Sequence, residues 1–198
     1  SVPIFYNRPF VVTIHDLIPY HYPTGKASTL PLPIYKLKLL GYKFVIKQAA
    51  KKARKIITVS QATKKEVVEH LGVDSDKVIV TYEGIDQKLA ISSQKSVVKG
   101  KYFLYVGNAY PHKNLERLLE AFKTLNSNVN LVLVGKEDYF HKRLKEKVRK
   151  MKLADKVVFL QNVSDEELAS LYKNAIALIV PSLMEGFGLP PLEAMGNN

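Results

Sequence analysis

Tyr102-Phe-Leu-Tyr-Val-Gly-Asn-Ala-Tyr-Pro-His-Lys-Asn-Leu115 is the stretch on which the reading of the fold turns. Residues 102–106 form an apolar run short enough for a buried strand, Gly107 opens a loop, and Asn114 to Leu125 has the periodicity of a helix. The same alternation continues toward the C-terminus. Leu131 to Val134, Val157 to Leu160 and Ala177 to Val180 read as strands, and Phe140 to Met151 and Asp165 to Asn174 as the helices between them. A further helix opens near Pro190. Ser164 with Glu167 forms a capping box at the start of the third helix. Strands alternating with helices imply right-handed crossovers and a parallel, doubly wound sheet, so the fold class is α/β.

The N-terminal half carries a similar pattern less regularly. Phe10 to Ile14 is a β-branched run that reads as a buried parallel strand ending at His15-Asp16. Pro19, Pro23, Gly25, Pro31 and Pro33 mark an irregular segment. Lys55 to Val59 is the next strand, Ser60 a helix cap, Gln61 to Leu71 a helix stopped by Gly72, and Lys77 to Thr81 another strand. Gln87 to Gly100 is polar and weakly periodic, which places a boundary there and divides the chain into residues 1–90 and 91–198.

The 198 residues suffice for one large or two small cores. No cysteine is present, which excludes disulfides and thiolate metal sites. No apolar run approaches the roughly 18 residues of a spanning helix, and no leader pattern opens the sequence, so a cytoplasmic protein, with peripheral association at the inner membrane face, is the expectation. The net charge of +12 is concentrated. No acidic residue lies between Asp16 and Glu66, an interval with eleven Lys and Arg side chains. From Ile34 to Ala53 lysines interleave with Leu, Tyr, Phe, Val and Ile at helical spacing. Two readings stay open for residues 34–55: a core-packed helix with a solvated lysine face, or a helix laid against an anionic membrane or drawn to an acidic substrate. A basic binding module for nucleic acid is a competing function, but no zinc-finger spacing or RNA-binding aromatic motif accompanies the charge, so no nucleic-acid partner is expected.

The densest chemical pattern is Glu185-Gly-Phe-Gly-Leu-Pro-Pro-Leu-Glu-Ala-Met195. Its two carboxylates stand eight positions apart, Glu185 beside a glycine-bearing loop and Glu193 on the expected opening turn of a helix. Gly186 and Gly188 let backbone approach a ligand, and the helix N-terminus aims N–H groups at an anion. Together these features suit a nucleotide sugar, whose hydroxyls need acceptors and whose diphosphate needs donors. His15, the Gly107–Lys113 loop and Glu185 all follow strands, the end of an open α/β sheet at which ligands bind.

The Glu185–Glu193 segment resembles the E-x7-E signature of the retaining glycosyltransferases of family 4, which have the GT-B fold. Val106-Gly107 through Pro111-His-Lys-Asn-Leu115 is similar to the first loop of that family's donor domain, and Val11-Val-Thr-Ile-His-Asp16 to its strand ending in a catalytic-region histidine. The resemblance implies a C-terminal donor domain, residues 91–198, preceded by the end of an N-terminal, acceptor-side Rossmann-like domain, residues 1–90. It also implies that the chain is a piece of such an enzyme, inactive or weakly active by itself. The reaction implied is transfer of a hexose, with retention, from a nucleotide-sugar donor to a saccharide or lipid-linked acceptor. The leaving diphosphate itself helps to deprotonate the acceptor, and no metal or other cofactor is expected.

By the same resemblance, His15, Lys113 and Glu185 are the catalytic residues. Donor contacts fall to Gly107, Asn108, Lys113, Asn162, Val163, Glu185, Gly186, Phe187, Gly188, Leu189 and Glu193. Lys113 meets the diphosphate, Glu185 the sugar hydroxyls, Glu193 the ribose hydroxyls, and the Asn162-Val163 turn the base. Asn108 stands where many members have arginine, so either the diphosphate clamp is weaker or a neighbour such as His112 supplies the donor. The His15–Pro19 and Pro111–Asn114 segments look most like those of mannosyltransferases, which makes guanosine diphosphate mannose the preferred donor. Each residue also has an ordinary reading: a surface lysine for Lys113, a dipole-favoured acid for Glu193, an exposed loop acid for Glu185, a backbone-bonded histidine for His15. Asp74-Ser-Asp76 spells a metal-binding D-x-D, but Asp and Ser are ordinary turn residues where it falls, between a helix stop and a strand.

Overall fold

A computed structural model describes residues 6–24, 30–85, 98–125 and 127–197. The chain divides into two compact units: unit 1 comprises Ser1–Glu83 with Met184–Phe187, and unit 2 comprises Gly84–Leu183 with Gly188–Asn198. The boundary anticipated at residues 90 and 91 lies outside the described residues.

Unit 2 holds a four-stranded parallel sheet made of β4 (Tyr102–Val106), β5 (Asn130–Val134), β6 (Val157–Leu160) and β7 (Ala177–Leu178), in the order β6-β5-β4-β7. Alternate residues feed two cores. Tyr105, Leu131 and Leu133 point to one face and pack with Leu115, Leu119 and Phe122 of α4 (Leu115–Thr124) and Leu144 and Val148 of α5 (Tyr139–Lys150). Tyr102, Leu104, Val132 and Val134 point to the other, against Leu171 and Tyr172 of α6 (Asp165–Asn174) and Ala194 of α7 (Leu189–Gly196). Helices on both faces make the sheet doubly wound, and the side-chain period of two explains why its strands are apolar throughout. The Ser164–Glu167 capping box is present in both directions.

Unit 1 holds a three-stranded parallel sheet, β1 (Val11–Ile14), β2 (Lys55–Thr58) and β3 (Val78–Val80), in that order. Ile14, Ile56 and Val78 meet Ala50 of α2 (Leu32–Lys52) and Val67 and Leu71 of α3 (Gln61–Leu71). The helix α3 begins and ends where its sequence signals place it. Ser60 Oγ accepts from Thr63 N–H, and Gly72, at φ 65°, closes the other end in a left-handed conformation that a side chain would strain.

Several expectations need correction. Among the described residues β1 has a strand partner on one side only, Val11 is 55 % exposed, and of its four residues only Ile14 is buried. The proline-rich segment is not wholly irregular. Pro19 lies in the first turn of a one-turn helix, α1 (Ile18–His21), while Pro31 and Pro33 start α2, where a missing N–H is harmless. Lys113 ends a separate 3-10 turn, Pro111–Lys113, and Asn114 adopts φ 58° before α4 starts. Glu193 lies in the second turn of α7, because the helix starts at Leu189. The Asp74-Ser-Asp76 pattern, by contrast, is the turn expected of it, in which the Asp74 carboxylate accepts from Asp76 N–H at 3.0 Å.

Helix α2 matches neither simple reading. Tyr35, Leu39, Tyr42, Ile46, Ala49 and Ala50 form its covered or half-covered face, whereas Leu37, Leu40 and Phe44, spaced three and four apart, are 70 %, 65 % and 55 % exposed. At 100° per residue Lys36 and Lys47 fall on one flank of that outer stripe, whereas the half-covered Lys43 turns its ammonium over the Tyr20 ring. The helix is therefore apolar on two faces rather than one.

Candidate functional site

In unit 2 the strand order reverses at β4. The chain runs from β4 out to β5 and β6, then returns to place β7 on β4's other side. Such a switch point opens a crevice beyond the carboxyl ends of the two strands, where open α/β sheets bind ligands. The loops after β4 and β7 are tied together there. The Asn114 carboxamide donates to Pro181 O at 3.1 Å, and Leu183 N–H donates to His112 O at 2.8 Å.

The loop after β4 is held close to the sheet. Gly107 has φ 148°, and its N–H donates to Val134 O at 2.9 Å. Tyr105 Oη donates to Asn108 O at 2.6 Å, and the Asn108 side chain accepts from Tyr110 N–H at 3.2 Å. Asn108 thus spends its carboxamide oxygen on its own turn. His112 is 4 % exposed, its ring edge-on to Tyr110, which keeps it inside the loop. Lys113 is half-buried at the turn's end. Gly135, which the sequence did not single out, faces this loop: a Cβ there would stand 2.2 Å from Gly107 O. A hollow of about 280 Å³ borders Ala109, Tyr110, Pro111 and Asn114, and neither Lys113, Asn162 nor Glu193 lines it.

Asn162 follows β6 with φ 51°, a conformation Asn tolerates better than most residues, and Val163 packs on the α6-side core. Glu137, in the loop after β5, accepts hydrogen bonds from Gln161 and Lys145, and these hold its carboxyl down to about 2. Glu193 accepts a 2.7 Å hydrogen bond from Tyr172 Oη. Tyr172 is 3 % exposed, and burial first, then Glu193, raises its phenol well above the usual range. A carboxylate has about four acceptor positions, so Glu193 keeps capacity for hydroxyls while Tyr172 fixes its orientation. Because the dipole acts mainly on the first turn, helix polarity alone does not account for an acid in the second. At the start of α7, Gly188 has φ 95°, and Leu189, Pro190 and Pro191 follow it.

In unit 1 the segment Glu185–Phe187 lies against the end of β1. A Cβ on Gly186 would meet His15 O at 2.3 Å, so this approach requires glycine. Gly186 O accepts from Ser60 Oγ at 2.6 Å and from Thr63 Oγ1 at 3.1 Å. Ser60 thereby caps α3 and tethers the loop at once. Phe187 stacks obliquely with Tyr82, ring centres 6.2 Å apart. His15 is exposed, and its Nδ1 lies 3.0 Å from Glu83 Oε1. An ionised carboxylate can only accept, so Nδ1 carries the proton and a neutral ring offers Nε2 as an acceptor. Glu83, Tyr82, Ser60 and Tyr172 are the residues missed from the sequence. Only Ser60 left a signal, as a cap. The proposed site residues thus fall into two groups, His15 and Glu185–Phe187 in unit 1, and Gly107, Asn108, Lys113, Asn162, Val163, Gly188, Leu189 and Glu193 in unit 2.

The family model described as glycosyl transferases group 1 matches residues 86–198, and that described as glycosyltransferase family 4 matches residues 2–89. The O-antigen chain mannosyltransferase RfbU of Salmonella typhimurium is 34 % identical over 199 aligned positions that take in 100 % of this chain and 52 % of the relative. The serotype-specific mannosyltransferase WbdA of Escherichia coli is 38 % identical over 129 residues, 63 % of this chain and 16 % of the relative. The chain thus spans about half the length of RfbU. Among solved structures, HepE of Anabaena in complex with UDP and glucose aligns with TM-score 0.75 at 21 % identity, over 96 % of this chain and 51 % of that one. Sucrose-phosphate synthase of Thermosynechococcus elongatus aligns with TM-score 0.73 at 24 % identity, over 96 % and 49 %. With both units parallel α/β sheets and the family model spanning more than half its length, the chain belongs to the group 1 glycosyltransferases and has the GT-B fold.

Proposed function

We propose that this chain supplies the donor-binding machinery of a retaining hexosyltransferase, with guanosine diphosphate mannose as donor and a saccharide or lipid-linked acceptor. The crevice at the β4/β7 switch point carries this reading, because its two loops are hydrogen-bonded into one support that bears Lys113. The likeness to RfbU and WbdA, both named mannosyltransferases, favours mannose, and the departing diphosphate favours a preorganised cation.

Gly107 and Asn108 present backbone to the diphosphate, and Lys113 neutralises charge that grows as the glycosidic bond breaks. The Asn162-Val163 turn meets the base, and Glu193, aimed by Tyr172, accepts from the ribose hydroxyls. Glu185 accepts from sugar hydroxyls, with N–H groups of Gly186, Phe187, Gly188 and Leu189 along the sugar and phosphate. His15, oriented by Glu83, holds a sugar hydroxyl through Nε2. The leaving diphosphate takes the acceptor proton, so the chemistry needs no metal. Residues 1–90 are assigned to the acceptor side and 91–198 to the donor side. In the complete enzyme, Lys113→Ala and Glu185→Ala each lower sugar transfer from the donor at least tenfold. Near-normal turnover in both rejects the assignment.

The 198-residue chain alone is expected to bind donor with little turnover. Its place of work is the cytoplasmic face of a membrane, to which α2 offers an apolar stripe rimmed by lysines, complementary to anionic lipid. No helix among the described residues is long and apolar enough to cross a membrane. Leu40→Asp with Phe44→Asp should cut sedimentation with anionic vesicles at least fivefold, and unchanged sedimentation would dismiss the membrane role.

A further inference from the structure

Three side chains with no part in the donor site gather in unit 1. His21 ends α1, and Glu66 and His70 lie one turn apart on the same face of α3. Both imidazoles bring Nε2 to one oxygen, Glu66 Oε2, at 2.6 Å from His21 and 3.3 Å from His70. Their ring centres are 4.8 Å apart, edge to face, and the three ligand atoms all lie within 4.8 Å of one another. Each side chain is about one-third exposed, at 34 %, 28 % and 35 %. An ion can therefore reach the group from solvent without the group being fully hydrated.

We propose that His21, Glu66 and His70 bind a divalent transition-metal cation of the zinc class, with water at the fourth position. Two neutral imidazoles and one carboxylate are the ligand types that such a cation takes in a three-residue site. Bond lengths of about 2.0–2.1 Å to nitrogen and 2.0–2.2 Å to oxygen set neighbouring ligand atoms roughly 3.3 Å apart in a tetrahedron. The His70–Glu66 separation already has that value, and His21 needs to withdraw by about 0.7 Å. Binding through Nε2 places the proton of each neutral ring on Nδ1, so the ion replaces the two hydrogen bonds to the carboxylate with no net change in the number of bound protons. Lys43 lies over the Tyr20 ring at 4.8 Å, and Tyr20 in turn lies 6.0 Å from His70. That aromatic ring stands beside the group as a partial shield.

Occupancy ties α1 to α3. The segment His15–His21 connects the exposed histidine at the end of β1 to this group, and the N-terminus of α3 carries Ser60, the tether of Gly186. The metal is thus a clamp on the framework of unit 1, separate from the donor chemistry.

The test uses the tag-free, metal-stripped 198-residue chain titrated calorimetrically with Zn²⁺. One equivalent should bind at micromolar or lower concentration, His70→Ala and Glu66→Gln should each weaken it at least tenfold, and bound Zn²⁺ should raise the melting temperature of the parent chain but not of the double variant. Circular dichroism identifies any variant that has lost its fold, and the isosteric Glu66→Gln then decides. Absence of saturable uptake, or equal affinity in Glu66→Gln and the parent, overturns the site and leaves only histidine–carboxylate hydrogen bonds.

Discussion

In unit 2, β5 lies between β4 and β6 with Leu131 to Val134 all buried, whereas in unit 1, among the described residues, β1 has a strand partner on one side only, with Val11 and Thr13 exposed. Both sheets are parallel, and both are built from largely apolar runs. Helices cover the two faces of the unit 2 sheet through separate cores, while a single core joins the described strands of unit 1 to α2 and α3. The difference shows that hydrophobic composition makes a strand, but neighbours decide how much that strand stabilises. It also bears on function. The loop after β4 and residues 179–183 after β7 are hydrogen-bonded to each other on a doubly packed sheet, whereas Glu185–Phe187 is held in unit 1 by bonds from Ser60 and Thr63 and one close glycine contact.

The comparison breaks most readily in the cores. Leu133→Ala, at 1 % exposure, should cost about 2–5 kcal/mol in urea denaturation, through lost burial and the cavity left behind. Val11→Ala, at 55 % exposure, should cost no more than about 0.5 kcal/mol. Equal losses would erase the distinction between the two sheets. A middle effect is expected at Ser60: Ser60→Ala removes both the α3 cap and the Gly186 tether, for about 1 kcal/mol. Donor binding should weaken further than in a cap variant elsewhere, such as Asp138→Ala on α5.

The smallest effect is a pH dependence in unit 2. His141 is 1 % exposed on α5, ring to ring with Phe159, and burial first, then Lys145, lowers its pKa below 6.5, with Asp138 and Glu137 opposing. The unfolded chain takes up a proton near pH 6.5 that the folded chain resists. Its contribution is therefore complete above about pH 6.5 and is lost as the pH falls toward the folded value. His141→Phe should flatten that part of the stability profile, and an unchanged slope would remove His141 as its source.

Elements announced by local chemistry were legible in the sequence. Helix α3 lies between Ser60 and Gly72 and α6 opens with its capping box, because caps and stops act over three or four residues. The strands of unit 2 were legible from their apolar runs. The exposure of β1 was not legible, because it depends on strand partners that a run of Val and Ile does not reveal. Prolines 31 and 33 read as loop markers in the sequence, yet a first helical turn accepts them equally well. The candidate residues themselves were visible through their motifs, but their supports were not. His15–Glu83 spans 68 positions, Ser60–Gly186 126 and Tyr172–Glu193 21, and no local periodicity encodes such pairs.

The central claim is that the β4/β7 crevice of unit 2 holds a nucleoside diphosphate through Lys113 and Glu193. Calorimetric titration of the chain with GDP, beside UDP and ADP, tests it without requiring turnover. The account predicts saturable binding, strongest for GDP, that weakens at least tenfold in Lys113→Ala and in Glu193→Ala and is unchanged in Lys123→Ala on the exposed side of α4. No binding of any of the three nucleotides, or binding indifferent to Lys113 and Glu193, would contradict it.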